Sequence, residues 1–213
     1  MPAPSHHPGS ELLLDYAAGG LAAAPSLAVA SHLSLCPHCR GALARLEAVG
    51  GALIEEIAPV SVADDALARI MDRLDEPEAP TPMAPPGRIL PAPLRRLVGG
   101  DVEAIRWEPT IRGLDICELP VAGEAKARLL RVHAGTAMPQ HTHDGEELTL
   151  VLCGAFRDET GRYARGDLAV TDSEIDHQPV AEPGEACICL AVTDAPLRLT
   201  GRFMRFLNPF VKF

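Results

Sequence analysis

Residues 135–154 read GTAMPQHTHDGEELTLVLCG, which sets Gly135, His141, His143, Glu147 and Gly154 in the order G-x5-H-x-H-x3-E-x6-G. Two positions apart on a strand, His141 and His143 leave the same face. The Asp144-Gly145 pair makes a tight turn, after which Glu147 can bring its carboxylate back to that face. Two imidazoles and a carboxylate are a common donor set for a divalent metal. His177, a further hairpin beyond Gly166 and Asp167, can add a third imidazole.

Around this stretch lie short strand-like runs at 116–119, 127–133, 147–152, 167–170, 186–191 and 197–203, separated by Gly, Pro, Asp and Asn. That pattern predicts an antiparallel β-sandwich or barrel. The 135–154 stretch resembles the first motif of the cupins at both glycines and all three ligands. In the second motif His177 stands at the right distance from Gly166, whereas Asp172 and Glu174 occupy positions where the pattern has Pro and Gly. The resemblance implies a cupin-like metal-binding domain over 97–213, holding a divalent ion through His141, His143, Glu147 and His177. Zn2+ is the first expectation, and four protein ligands would leave it little room for substrate. Fe2+ or Mn2+ would keep open positions. His133 has no place in the motif and is expected to pack or face solvent. Cys187 and Cys189 share one strand face, as buried packing or as a redox-sensitive pair, though a disulfide between i and i+2 of a straight strand is awkward. Cys117 and Cys153 are expected in the core.

Upstream, 76–96 is rich in proline and has neither helical nor strand period, so a semi-rigid linker is predicted there. Segment 1–75 reads as helices over 12–24, from Pro25 and Ser26 onward, over 41–57 and over 62–74. The last carries Ala63, Ala66, Leu67, Ile70, Met71 and Leu74 at i, i+3, i+4, i+7, i+8 and i+11. Such a stripe serves an intramolecular core or docks into a partner's groove.

Residues 31–40, SHLSLCPHCR, give His32-x3-Cys36-x2-Cys39. On a helix His32 and Cys36 share a face, and Cys39 follows one turn later. These are three ligands of a tetrahedral Zn2+ site; the fourth is expected from the upstream pair, His6 first and His7 as the alternative. A closed site of this kind is structural and compensates for a small core. No βαβ pattern surrounds the CxxC, so a thioredoxin-like centre is disfavoured. His38 points away from the shared face.

The 213 residues carry 29 acidic and 19 basic side chains, a net charge of −10, and both flanking segments are acidic. Direct nucleic-acid binding is therefore disfavoured, and a basic protein partner is favoured. No Lys or Arg precedes Arg40, and no apolar run reaches the ~20 residues of a membrane span, so a cytoplasmic protein with no membrane partner is expected. The six cysteines do not form a disulfide scaffold.

Segment 1–75 resembles the zinc-binding anti-sigma domain of bacteria, and the opening HHP…LLLDYAAG is most similar to the ChrR type. The resemblance implies a four-helix domain that wraps an extracytoplasmic-function sigma factor in a 1:1 complex and blocks its access to core RNA polymerase. It also implies release under oxidative stress such as singlet oxygen, sensed through the cupin. The expected protein is thus a transcriptional regulator with no catalytic residues. The alternative is a metal-dependent cupin oxygenase or isomerase with an accessory zinc domain; a thiol-redox protein is a weaker third reading.

Overall fold

The computed structural model describes residues 3–74, 76, 89–110 and 113–201. Its N-terminal part holds helices α1 (Ser10–Ala17), α2 (Ala23–Leu35), α3 (Pro37–Glu55) and α4 (Ala66–Arg73). The first helix starts two residues before the expected residue 12, at Ser10, and does not run to residue 24. Gly19, at φ 71°, ends it, and a new helix accepts Pro25 in its first turn. The third runs through Gly50 and Gly51 unbroken. Leu13, Val29, Leu33, Cys36 and Cys39 form a small buried core among α1, α2 and α3.

The C-terminal end of the expected linker is structured. Residues 92–98 form α5 (Ala92–Val98), closed by Gly99 in the left-handed region, and Leu90 and Leu94 are buried. Most of the proline-rich stretch, 77–88, lies outside the described residues, as does the end of the last expected strand at 202–203.

The remainder is antiparallel β-structure, as the strand pattern predicts. The strands are β1 (Glu108–Pro109), β2 (Leu114–Glu118), β3 (Lys126–Val132), β4 (His141–His143), β5 (Glu147–Cys153), β6 (Ala155–Asp158), β7 (Gly161–Ala164), β8 (Leu168–Thr171), β9 (Val180–Ala181), β10 (Cys187–Thr193) and β11 (Leu197–Leu199). One sheet has the order β1-β2-β3-β10-β5-β8; β11 pairs with β4, and β7-β6-β9 form a third sheet.

Alternation along the central strands explains their unbroken hydrophobicity. In β5, Leu148, Leu150 and Leu152 join one cluster while Val151 joins another. In β10, Ile188, Leu190 and Val192 belong to the first cluster and Cys187 and Cys189 to the second. The second cluster lies inside the cupin. The first lies on the outer face of the large sheet, where Ala24 and Ala28 of α2, Leu90 just before α5 and Leu94 of α5 cover it. A sheet buried on both faces reads as a continuous apolar run. Each leucine so buried contributes roughly 1.5–3 kcal/mol, and Leu129, Leu148, Leu150, Leu152, Leu168 and Leu190 are all nearly inaccessible. The helical and cupin parts therefore share a packed interface made through α2.

The fourth helix behaves differently. None of its residues is buried, and Leu67, Ile70 and Met71 are 70%, 61% and 55% exposed. Val49, Leu53 and Ile54 at the end of α3, with Ile57, Val60 and Val62 after it, are exposed as well. Of the two uses predicted for the α4 stripe, an intramolecular core is not seen among the described residues. No helix among them is long and apolar enough to cross a membrane.

Candidate metal centres

Two clusters of histidine, cysteine and carboxylate side chains come together, and within each the donor atoms lie within 4.8 Å of one another. The first comprises His7, His32, Cys36 and Cys39; the second, His141, His143, Glu147 and His177.

In the first cluster the three residues of the H-x3-C-x2-C pattern meet at a helix junction. His32 occupies the last turn of α2. Cys36 breaks the helix with extended backbone, and Cys39 lies in the first turn of α3. The expected single helical run is thus two helices. The Cys36 sulfur accepts a hydrogen bond from the Cys39 amide at 3.4 Å, which turns both thiols to the same side. His7, not His6, supplies the fourth donor, with Nδ1 3.4 Å from each sulfur. The two histidines of the arm have different neighbours. The His6 ring lies 4.3 Å from that of Tyr163, and its Nδ1 is 3.6 Å from Asp167 Oδ2. His6 anchors the arm to the cupin and is not in the cluster. His38 is exposed, as expected.

The tautomer of His32 is fixed by its surroundings. Its Nδ1 donates to the Gly166 carbonyl oxygen at 2.8 Å, so the buried Nε2 presents a lone pair to the cluster and has no hydrogen-bond partner among the described residues. Burial, opposed by that bond, brings its pKa down to about 4, which keeps the ring neutral. Burial, reinforced by Cys36, pushes the Cys39 thiol up to about 12. Such a thiol loses its proton to solvent only when a strong electrophile takes its place on the sulfur, and a thiophilic cation is one.

The second cluster forms where β4 and β5 begin and where His177 bridges back to His141 through paired backbone hydrogen bonds of 3.0 Å. All four residues expected from the sequence are brought together. His141 Nδ1 donates to the Pro139 carbonyl oxygen at 2.7 Å, and His177 Nδ1 donates to Asp158 Oδ2 at 2.7 Å. Both rings therefore aim Nε2 inward, and the two atoms stand 3.2 Å apart. Two lone pairs at that distance repel unless a proton or a cation lies between them. His143 Nε2 is 3.2 Å from Glu147 Oε2 without hydrogen-bonding geometry, and its Nδ1 also lacks a partner among the described residues. Burial would raise the Glu147 pKa, but His143, then His141 and His177, hold the carboxyl below its ordinary value. Burial lowers the pKa of His141, whereas Glu147 outweighs burial at His143 and raises it. Three imidazoles and one anion, with outer carbonyl and carboxylate partners, suit a divalent ion.

Beside this cluster the cupin interior holds a cavity of about 220 Å³ whose walls include Leu114, Ile116, Met138, Phe156, Cys187 and Cys189. Cys187 and Cys189 are buried free thiols with Sγ atoms 3.6 Å apart. His133 is on the surface, paired with Asp115 at 3.0 Å. The sequence reading missed Asp158, the partner of His177, and the contact from Gly166 to His32. Neither lies near its partner in the chain, so spacing held no signal for them.

The family model for the ChrR cupin-like domain matches residues 96–196. The chain is 49% identical over 208 residues to the anti-sigma-E factor ChrR of Cereibacter sphaeroides, spanning 97% of this chain and 98% of that one. It is also similar to a chain of the crystal structure of Rhodobacter sphaeroides SigE in complex with the anti-sigma ChrR. That match has a TM-score of 0.77 at 49% identity and covers 90% of this chain and 100% of the other.

Proposed function

The chain belongs to the ChrR family of anti-sigma factors, and from that membership we propose that it binds an extracytoplasmic-function sigma factor one to one and withholds it from core RNA polymerase. The observation that carries this reading is the likeness, over nearly the whole of both chains, to an anti-sigma factor whose structure was solved with its sigma factor. The surface for such a partner is at hand. The apolar stripe of α4 and the end of α3 are exposed on an acidic protein, which suits an apolar, basic counterpart. The role is regulatory and not enzymatic.

In this reading 1–75 is the anti-sigma domain, 76–96 the connection and 97–213 the cupin, and the protein works in the cytoplasm. His7, His32, Cys36 and Cys39 hold Zn2+, which would tie the N-terminal arm to the α2–α3 junction and neutralise the thiolates there. His141, His143, Glu147 and His177 hold a divalent ion, Zn2+ first and Fe2+ or Mn2+ as alternatives. The cupin senses an oxidative signal such as singlet oxygen and relieves inhibition. A cupin event alters inhibition only by shifting the balance between bound and released states.

Co-expression of the chain with the tagged sigma factor, followed by size-exclusion chromatography, tests the reading. A 1:1 complex that excludes core RNA polymerase supports it. A sigma factor that elutes alone, or together with the polymerase, rejects it.

A further inference from the structure

The turn between β7 and β8, Arg165-Gly166-Asp167, supplies no residue to the cavity wall or to the cupin cluster, yet it touches three separate segments upstream of the cupin strands. Arg165 Nη1 donates to the carbonyl oxygen of Ile89 at 2.8 Å, where the chain enters α5, and to that of Leu152. The Gly166 carbonyl accepts the Nδ1 proton of His32. The Asp167 carboxylate takes the N-terminal arm: Oδ1 accepts from the Ser5 amide at 2.6 Å, the His6 amide at 3.0 Å and the Ser5 hydroxyl at 3.2 Å. Its Oδ2 accepts from the Ala164 amide at 2.8 Å, which closes the turn. The Leu168 amide then donates to the His6 carbonyl at 3.2 Å. His7 is the next residue of that arm.

We infer that the Gly166–Asp167 turn of the cupin positions two donors of the N-terminal cluster, His32 directly and His7 through the arm, so that the first metal centre is a composite of both domains. The inference deepens the metal reading above and rests on it.

The physical case has three parts. A ligating histidine needs its second nitrogen held to fix tautomer and ring orientation, and the Gly166 carbonyl does this for His32. Residues 3–9 of the arm have no regular secondary structure. With no ladder to hold it there, its bonds to Asp167 and Leu168 set where His7 stands. Gly166 has φ +93°, and a Cβ on it would lie 2.7 Å from Pro4 Cγ, so glycine is required for the arm to lie this close. Asp167 is buried, and although burial works against ionisation, the amides of Ala164, His6 and Ser5 hold its carboxyl below the usual carboxylate range. Asp167 and Gly166 are thus positioning residues, and neither is a ligand.

The test uses the full chain reconstituted with Co2+, because the sulfur-to-cobalt charge-transfer band reports the cysteine-containing centre and ignores the cupin centre. Decay of that band in excess 4-(2-pyridylazo)resorcinol is followed for wild type, Asp167→Ala, Ser5→Pro, His7→Ala and the double variant His7→Ala/Asp167→Ala. The Ser5→Pro change deletes both Ser5 donors to Asp167, the amide and the hydroxyl, without altering the cupin, and so guards against misfolding of the Asp167→Ala turn. We expect Asp167→Ala to lose metal about 10-fold faster, within the range for outer-shell partners of metal ligands, and Ser5→Pro to move the same way. The visible bands of Asp167→Ala should approach those of His7→Ala, and the double variant should decay no faster than His7→Ala alone. Wild-type spectra and decay rates in both Asp167→Ala and Ser5→Pro overturn the inference while leaving the metal reading intact. Absence of any thiolate–cobalt band in the wild type overturns both.

Discussion

His32 of the N-terminal helices donates a hydrogen bond of 2.8 Å to the backbone carbonyl of Gly166 in the cupin. The bond joins residues on opposite sides of the proline-rich segment and fixes the ring nitrogen that faces Cys36 and Cys39. The two halves of this chain therefore meet at the first metal centre as well as across the α2 and α5 interface with the large sheet.

Two metals per chain are expected from full-length protein expressed in metal-replete medium, and Cys36→Ser should lose one. The small core around Leu13, Val29 and Leu33 contains both cysteines. Metal-binding energy there is largely folding energy. Elemental analysis with circular dichroism checks this; a Cys36→Ser protein that keeps both ions and its melting curve would contradict it.

Replacing Leu67, Ile70 or Met71 by Asp should abolish sigma-factor binding while leaving the melting temperature within a few degrees of wild type. These side chains touch no core of their own. A hot-spot residue at the centre of an interface costs on the order of 2 kcal/mol or more when truncated, and a carboxylate in its place would be desolvated without a partner. Isothermal titration of each variant against the sigma factor gives the answer.

Fragment 1–75 should keep zinc and partner binding and lose the signal response, since its core and its metal donors lie within it. It leaves Ala24 and Ala28 uncovered and gives up the Gly166 contact. Its zinc should accordingly be more labile than in the full chain. Chelator release rates for the two proteins make the comparison.

His141→Ala or His177→Ala should give a chain that still silences its sigma factor but no longer yields under oxidative stress. A reporter assay with and without photosensitiser distinguishes this from constitutive release, which would make the cupin ion necessary for inhibition itself.

Glu182 provides a pH-dependent marker away from both centres. Hydrogen bonds from Arg162 and then Arg157 hold its carboxyl at about 2, against an ordinary 4.5. A depressed folded value stabilises above the unfolded pKa, and the contribution is lost as pH falls through the folded one. The stability advantage of wild type over Glu182→Gln should be full above about pH 5 and gone near pH 2, and salt should shrink it because the pair is exposed. Melting temperatures across that range test it.

The cupin strands and their ligands were legible because period-two alternation and the G-x5-H-x-H-x3-E spacing are local. His141, His143, Glu147 and His177 needed only strand geometry to converge. The short strands β1, β6, β7 and β9 were missed, since two to four residues are too few to show a period. Choosing between His6 and His7 required knowing that Tyr163 and Asp167 draw one of them away, a contact across most of the chain. Helix α5 was hidden by its prolines: Pro91 and Pro93 flank and enter its first turn, where proline is accepted, and composition alone read them as spacer. The α4 stripe was visible as amphipathic, but whether it faced a core or a partner depends on tertiary packing that periodicity does not encode.

The most direct measurement is competition between this chain and core RNA polymerase for the purified sigma factor, read as promoter-specific transcription. We expect transcription to fall to background at one chain per sigma factor and to recover with Leu67→Asp in place of wild type. Undiminished transcription at a several-fold excess of folded, zinc-loaded chain would contradict the assignment.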